Sequence, residues 1–210
     1  MKTRTAFLSL LTIVCLLLAV APAMADTSYS NGPYNGTADA WLINFGFSVS
    51  DSFTLDSGSS IYEFDFVYWD ASGSDLLTTV DMALGTTSFG GTPQTLTAFA
   101  NSYLGTNQYG YYLYEAAYFL GGIPWSGDGF VTLSNACTTS GCSVNTPIYW
   151  DENSGPSTAY ANTLGSIPSE AFTLGGGCYY CQIPPEPSSI LLFGSGVLGL
   201  AGILRRKLGR

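Results

Sequence analysis

Hydrophobic and polar positions alternate along the middle of the chain with a period of two. From Leu42 to Val49 the alternation places Ile43, Phe45, Phe47 and Val49 on one face of an extended segment. From Ile61 to Trp69 it divides Tyr62, Phe64, Phe66 and Tyr68 from Ile61, Glu63, Asp65, Val67 and Trp69. Thr79 to Leu84 aligns Val80, Met82 and Leu84, and Tyr111 to Leu120 reads as a long strand rich in Tyr and Phe. Phe130 to Ser134 and Ile148 to Trp150 are shorter strands. Clusters of Gly, Ser, Asn, Asp and Thr, such as Asp70-Ala-Ser-Gly-Ser-Asp75, separate these segments as turns. No long segment carries an apolar period of 3.6 residues. The pattern predicts an all-β protein with a single antiparallel β-sandwich, jelly-roll-like, over residues 26–174. An immunoglobulin-like sandwich is the alternative, but its Cys-Trp-Cys spacing is absent.

The two ends follow different patterns. Lys2 and Arg4 precede an apolar run from Ala6 to Ala21 and a small-x-small site, Ala23-Met24-Ala25. That order predicts a signal peptide over residues 1–25, removed by signal peptidase to leave Asp26 as the mature N-terminus. Residues 175–187 form a Gly/Pro-rich stalk, because Gly175-Gly-Gly177 is flexible and the prolines before Ser188 are stiff. Residues 188–204 are apolar and as a helix would reach about 25 Å, enough to cross a bilayer core. The basic stop Arg205, Arg206, Lys207 and Arg210 then predicts a cytoplasmic tail over 205–210. The middle of the chain is thereby placed outside the membrane.

Pro185, Glu186 and Pro187, the glycine-interrupted apolar helix and the Arg-rich end together resemble a PEP-CTERM sorting signal. The resemblance implies an exosortase as partner, cleavage near the triplet, and delivery of a membrane-anchored precursor to the cell surface or extracellular matrix of a Gram-negative bacterium that makes polysaccharide. Asn35-Gly-Thr37, the stretch Trp41 to Leu55, Gly105-Thr-Asn-Gln-Tyr-Gly110 and Tyr149-Trp-Asp-Glu-Asn-Ser-Gly-Pro-Ser157 also resemble an uncharacterised group of exported acidobacterial proteins with the same tail. That second resemblance implies compartment and fold and transfers no active site.

Charge narrows the chemistry of the exported part. All six Lys and Arg lie in the two targeting segments, and the chain has no His. Fourteen of the fifteen Asp and Glu lie between Asp26 and Pro184. Imidazole-dependent triads, Schiff-base lysines, phosphate clamps and nucleic-acid binding are all excluded for this region. Its carboxylates must be solvated, hydrogen-bonded or bound to cations. Calcium is the cofactor such oxygens would take, with Asp70, Asp75, Asp128, Asp151 and Glu152 as candidate ligands in Gly- and Ser-rich stretches. The competing expectation is a solvated acidic surface with no cofactor.

Four cysteines remain after export: Cys137, Cys142, Cys178 and Cys181. An even number in an exported chain predicts disulfides, with three pairings open. The local pairing joins Cys137 to Cys142 and Cys178 to Cys181. The crossed pairings would close a loop of about 40 residues, worth roughly 3–4 kcal/mol. A four-thiolate zinc site fits the spacing but needs reduced sulfur in an oxidising compartment.

These features point to a non-catalytic surface or matrix protein, polysaccharide-associated or adhesive. Trp69, Trp125 and Trp150, with Trp41 and the tyrosines, are the candidate sugar-stacking surfaces, against the competing expectation that they pack the core. The enzyme alternative is carboxylate-based glycoside hydrolysis, with Glu63 and Asp65 on one strand face, Glu115 from another strand, and the pair Asp151-Glu152.

Overall fold

A computed structural model describes residues 27–142 and 146–176. Two long strands organise it. β3 (Ser48–Asp70) and β7 (Tyr112–Thr138) pair antiparallel from Ser48 opposite Ser134 to Asp70 opposite Tyr112. The other strands attach to the free edges of this ribbon. Along β3 lie β9 (Ala159–Ala161), β11 (Phe172–Gly175) and β8 (Ile148–Asp151). Along β7 lie β4 (Leu77–Gly85) and β6 (Ala100–Thr106). A further layer of pairing adds β1 (Thr27–Ser30) to β11, β2 (Ala40–Leu42) to β8, β5 (Gln94–Thr97) to β4 and β10 (Gly165–Ile167) to β9. Every pairing is antiparallel and the hydrogen bonding is continuous, so the described residues form one eleven-stranded sheet. The all-β class agrees with the sequence pattern. In place of two separately bonded sheets, one sheet bends around one core.

The bend has a local cause. The β3–β7 register shifts between Leu55 and Ser59 and again between Ile61 and Glu63. Extra residues on one strand break the ladder and bend it. Gly122, opposite the second shift, has φ +87°, and a Cβ there would lie 2.6 Å from the Tyr62 ring. Only glycine fits both the backbone and the overlying ring. The Tyr62 shift also changes which residues face inward: Ile61 is fully buried on the same side as Phe64, Phe66 and Tyr68, although strict alternation groups it with Glu63 and Asp65.

The core draws on both arms of the ribbon, from Val49, Val80, Met82, Val131 and Leu133 on one side to Phe64, Phe66, Tyr118 and Phe172 on the other. Phe66 stacks on Tyr118 at 6.0 Å, and the Trp150 edge meets Phe64 and Phe66.

Two strand expectations are corrected. Leu42–Val49 is not one strand, because β2 stops at Leu42 and β3 starts at Ser48. Between them Phe45 and Gly46 take positive φ, the Phe47 amide bonds the Asn44 carbonyl, and Phe45 and Phe47 are exposed. Asn44 anchors this reversal through its amide N–H to the Thr146 carbonyl. Conversely, Tyr111–Leu120, from Tyr112 onward, and Phe130–Ser134 belong to the single strand β7. Gly121, Gly122 and Gly127 look like turn residues between them, but their positive φ values serve irregularities within β7.

The signal peptide, most of the stalk, the apolar segment 188–204 and the basic end all lie outside the described residues, as do Pro185, Glu186, Pro187, Cys178 and Cys181. Phe66→Ala, which empties a fully buried aromatic position, is expected to cost about 3–5 kcal/mol of unfolding free energy, read from the urea midpoint.

Candidate binding site

β8 lies between β2 and the end of β3, with Leu42 opposite Tyr149 and Tyr149 opposite Trp69. Alternation sends the next pair, Tyr68 and Trp150, into the core, and sends Trp69 and Tyr149 to the other face. The β6–β7 turn brings up two more rings. Asn107 Oδ1 accepts the amides of Tyr109 and Tyr111, and the Tyr109 hydroxyl and Gln108 Nε2 donate to the Thr37 carbonyl. The result is a cleft of about 420 Å³ between Ala38-Asp39-Ala40 and the rings of Trp69, Tyr109, Tyr111 and Tyr149. Trp69 and Tyr109 are stacked, with centroids 6.1 Å apart. Tyr111 and Tyr149 stand nearly perpendicular, at 86° and 5.7 Å.

Beneath the cleft, one polar network ties the segment after β1 to the segment after β8. Asp151, fully buried, accepts hydrogen bonds from Trp69 Nε1 and from the amides of Asn35 and Gly36. Burial raises its carboxyl and these three donors oppose the rise. Asn153 Nδ2 donates to the carbonyls of Asn31 and Pro33, while its Oδ1 accepts from the Gly155 amide and Ser169 Oγ. Gly155 packs so tightly that a Cβ would lie 2.1 Å from the Asn31 carbonyl oxygen. The stretches Asn35-Gly-Thr37 and Tyr149–Ser157, distant in sequence, are therefore two sides of one latch.

The sequence-predicted residues fare differently. Of the four tryptophans only Trp69 reaches the cleft. Trp150 is fully buried and donates its Nε1–H to the Ala171 carbonyl, and Trp125 packs on Phe53 at 5.5 Å. Trp41 Nε1 donates to Glu152. From β7 and β8, Trp125 and Trp150 pack against the core, Trp125 partly and Trp150 fully buried.

The calcium candidates do not assemble. Asp70 closes its own turn by accepting the Ser72 and Gly73 amides, Asp128 accepts from Thr54 Oγ1, and Asp75 accepts from Thr139 Oγ1 and the Ser140 amide. Hydrogen bonds hold the Asp75 carboxyl well below the usual range against a burial penalty. Among the described residues, no three Asp, Glu or Cys side chains converge as a metal site. Cys137 and Cys142 form a disulfide, which removes the crossed pairings and the four-thiolate zinc site. It closes a short loop at the end of β7.

Glu63, Asp65 and Glu115 do come together on the outer face, with Glu115 opposite Val67. Asp65 and Glu115 line a groove of about 210 Å³ with Tyr34 and Thr173. The Asp65 carboxyl is pushed up to about 7, first by burial and then by the Glu63 charge, against a hydrogen bond from Thr173.

Sequence reasoning missed two buried acids. Asp51 is fully buried and pushed up to about 6 by burial, although Asn31 and the Ser52 and Glu170 amides donate to it. Glu170 is fully buried with neither carboxyl oxygen hydrogen-bonded, and burial and the neighbouring Asp51, Glu152, Asp151 and Asp39 charges raise it well above the usual range. Nothing in the local sequence Pro168-Ser-Glu-Ala171 distinguishes it from a surface residue. The convergence of Tyr109 and Tyr149 with Asp39 has no local sequence signal.

Residues 185–207 match the PEP-CTERM protein-sorting motif, which implies an exported, membrane-anchored precursor processed by an exosortase. No curated protein matches the chain.

Two outcomes are expected. Gly155→Ala should lower the melting temperature more than Gly46→Ala, where a Cβ meets nothing within 4 Å. Asp51, Asp65 and Glu170 hold protons in the fold that the unfolded chain releases above its ordinary carboxyl pKa, so their contribution falls as pH rises from about 4 through 7. Asp75 runs the other way, but its loss begins only as pH falls below the unfolded value. The melting temperature should therefore be higher at about pH 5 than at about pH 8, and Glu170→Gln should shrink that difference.

Proposed function

We propose that this is a non-catalytic surface or matrix protein, delivered by an exosortase, that holds extracellular polysaccharide in the aromatic cleft. The observation that carries the reading is the convergence of Trp69, Tyr109, Tyr111 and Tyr149 on one cleft of about 420 Å³. That volume suits a small-molecule or sugar subsite, and pyranose C–H faces stack well on rings whose hydroxyls supply polar contacts. The latch under the cleft supports it too, because a pre-formed site loses little on ordering. The absence of Lys, Arg and His between Asp26 and Pro184 favours binding over most forms of catalysis.

A second reading is favoured by one observation: a carboxyl held up to about 7, Asp65, shares a groove with Glu115. A proton-holding acid beside a second carboxylate is what glycoside hydrolysis requires. Release of reducing ends from the host's polysaccharide, lost in Asp65→Asn, would support the hydrolase; binding without any release supports the primary reading.

Tyr109→Ala is expected to weaken retention on the host's polysaccharide about tenfold while shifting the urea midpoint less than Phe66→Ala does. No retention of the parent protein would overturn the polysaccharide reading. Glu186→Ala should leave the precursor uncut, seen as an unshortened intact mass.

A further inference from the structure

Charge decides which sugars the aromatic cleft can hold. The exported region carries fourteen Asp and Glu side chains and no cationic one. A uronate or sulfate chain would approach like charge and find no Lys or Arg to receive it, whereas an ammonium group would be drawn in. The cleft repeats this preference at short range. Asp39 lines it, exposed, with one carboxylate oxygen accepting the Ala40 amide. An ionised carboxylate has roughly four lone-pair sites, so capacity remains for an N⁺–H donor.

The rings add a second attraction. An aromatic face draws a cation through its quadrupole when the charge lies within about 6 Å of the centroid. Tyr111 and Tyr149 meet edge to face, at 86° and 5.7 Å, and both line the cleft. Trp69 is buried against Tyr109 and Tyr111 and supports them from below, with its Nε1–H bonded to the buried carboxyl of Asp151.

We propose that the cleft recognises a protonated amino sugar, as in a partly deacetylated glucosamine polymer, with the ammonium group between Asp39 and the Tyr111 and Tyr149 rings. This rests on the reading of the cleft as a polysaccharide site and narrows it to one class of sugar.

The test is calorimetric titration of the protein purified from cells that export it. The probes are oligomers of glucosamine, of N-acetylglucosamine and of galacturonic acid, at a pH that keeps the amine protonated. The glucosamine oligomer should bind at least about tenfold more tightly than the acetylated one, and the galacturonate not at all. Raising salt from about 0.05 to 0.5 M should erode the preference. Asp39→Asn and Tyr149→Leu should each reduce it. Equal affinity for the acetylated and free amines would overturn the amino-sugar inference and leave the polysaccharide reading standing. Binding of none of these oligomers, together with no retention on the host's own polysaccharide, would overturn both. A preference unchanged in the Asp39→Asn/Tyr149→Leu double variant would place the selectivity on the general acidic surface and overturn the assignment to this cleft.

Discussion

Between Asp26 and Pro184 no cationic side chain exists, so each acid that folding buries must find neutral donors or keep its proton. The molecule uses both solutions. Asp151 is satisfied by an indole and two backbone amides, and Asp75 by a threonine hydroxyl and an amide. Glu170, with neither oxygen bonded, is the second case, its carboxyl raised well above the usual range. A buried acid met by neutral donors must draw backbone amides or polar side chains onto itself, and that requirement brings the Asn35-Gly36 turn onto Asp151 and the Asn31 side chain onto Asp51. The latch beneath the aromatic cleft is thus a consequence of the charge composition as much as of packing.

The latch and the long ribbon do different jobs. β3 and β7 set which residues face inward, and their two register shifts bend the sheet around its core. The short strands β2, β8 and β11 have too few ladder bonds to fix their own positions. Side-chain hydrogen bonds add the missing restraint, with Trp150 Nε1 reaching the Ala171 carbonyl and Asn153 spanning Asn31 and Pro33. The cleft stands where both systems meet, at the end of β3.

Much of the sheet was legible from periodicity. Phe64, Phe66, Tyr68, Val80 and Met82 are inward as their alternation requires. Where periodicity misled, glycine was the reason. Gly46 marks a true reversal inside an alternating run, while Gly121, Gly122 and Gly127 mark irregularities inside one strand, and a positive φ serves either purpose. The common face of Glu63 and Asp65 followed from spacing along one strand, because a two-residue step is local, whereas Glu115 joins them only through the pairing of β3 with β7. The cleft was less legible: Asp39, Trp69, Tyr109 and Tyr149 meet only through the pairing of β8 with β2 and β3, which no local pattern encodes. Glu170 was opaque for the same reason, since its burial comes from neighbours more than a hundred residues away, such as Asp51.

The pairing of β1 with β11 sets Thr27 directly opposite Gly175, so the chain enters and leaves the described sheet side by side. Gly175 in turn faces Glu63, six residues along β3 from Trp69, a separation of roughly 20 Å. A pull on the sheet through either of these two strands therefore loads the same edge, about six residues of β3 away from the rings.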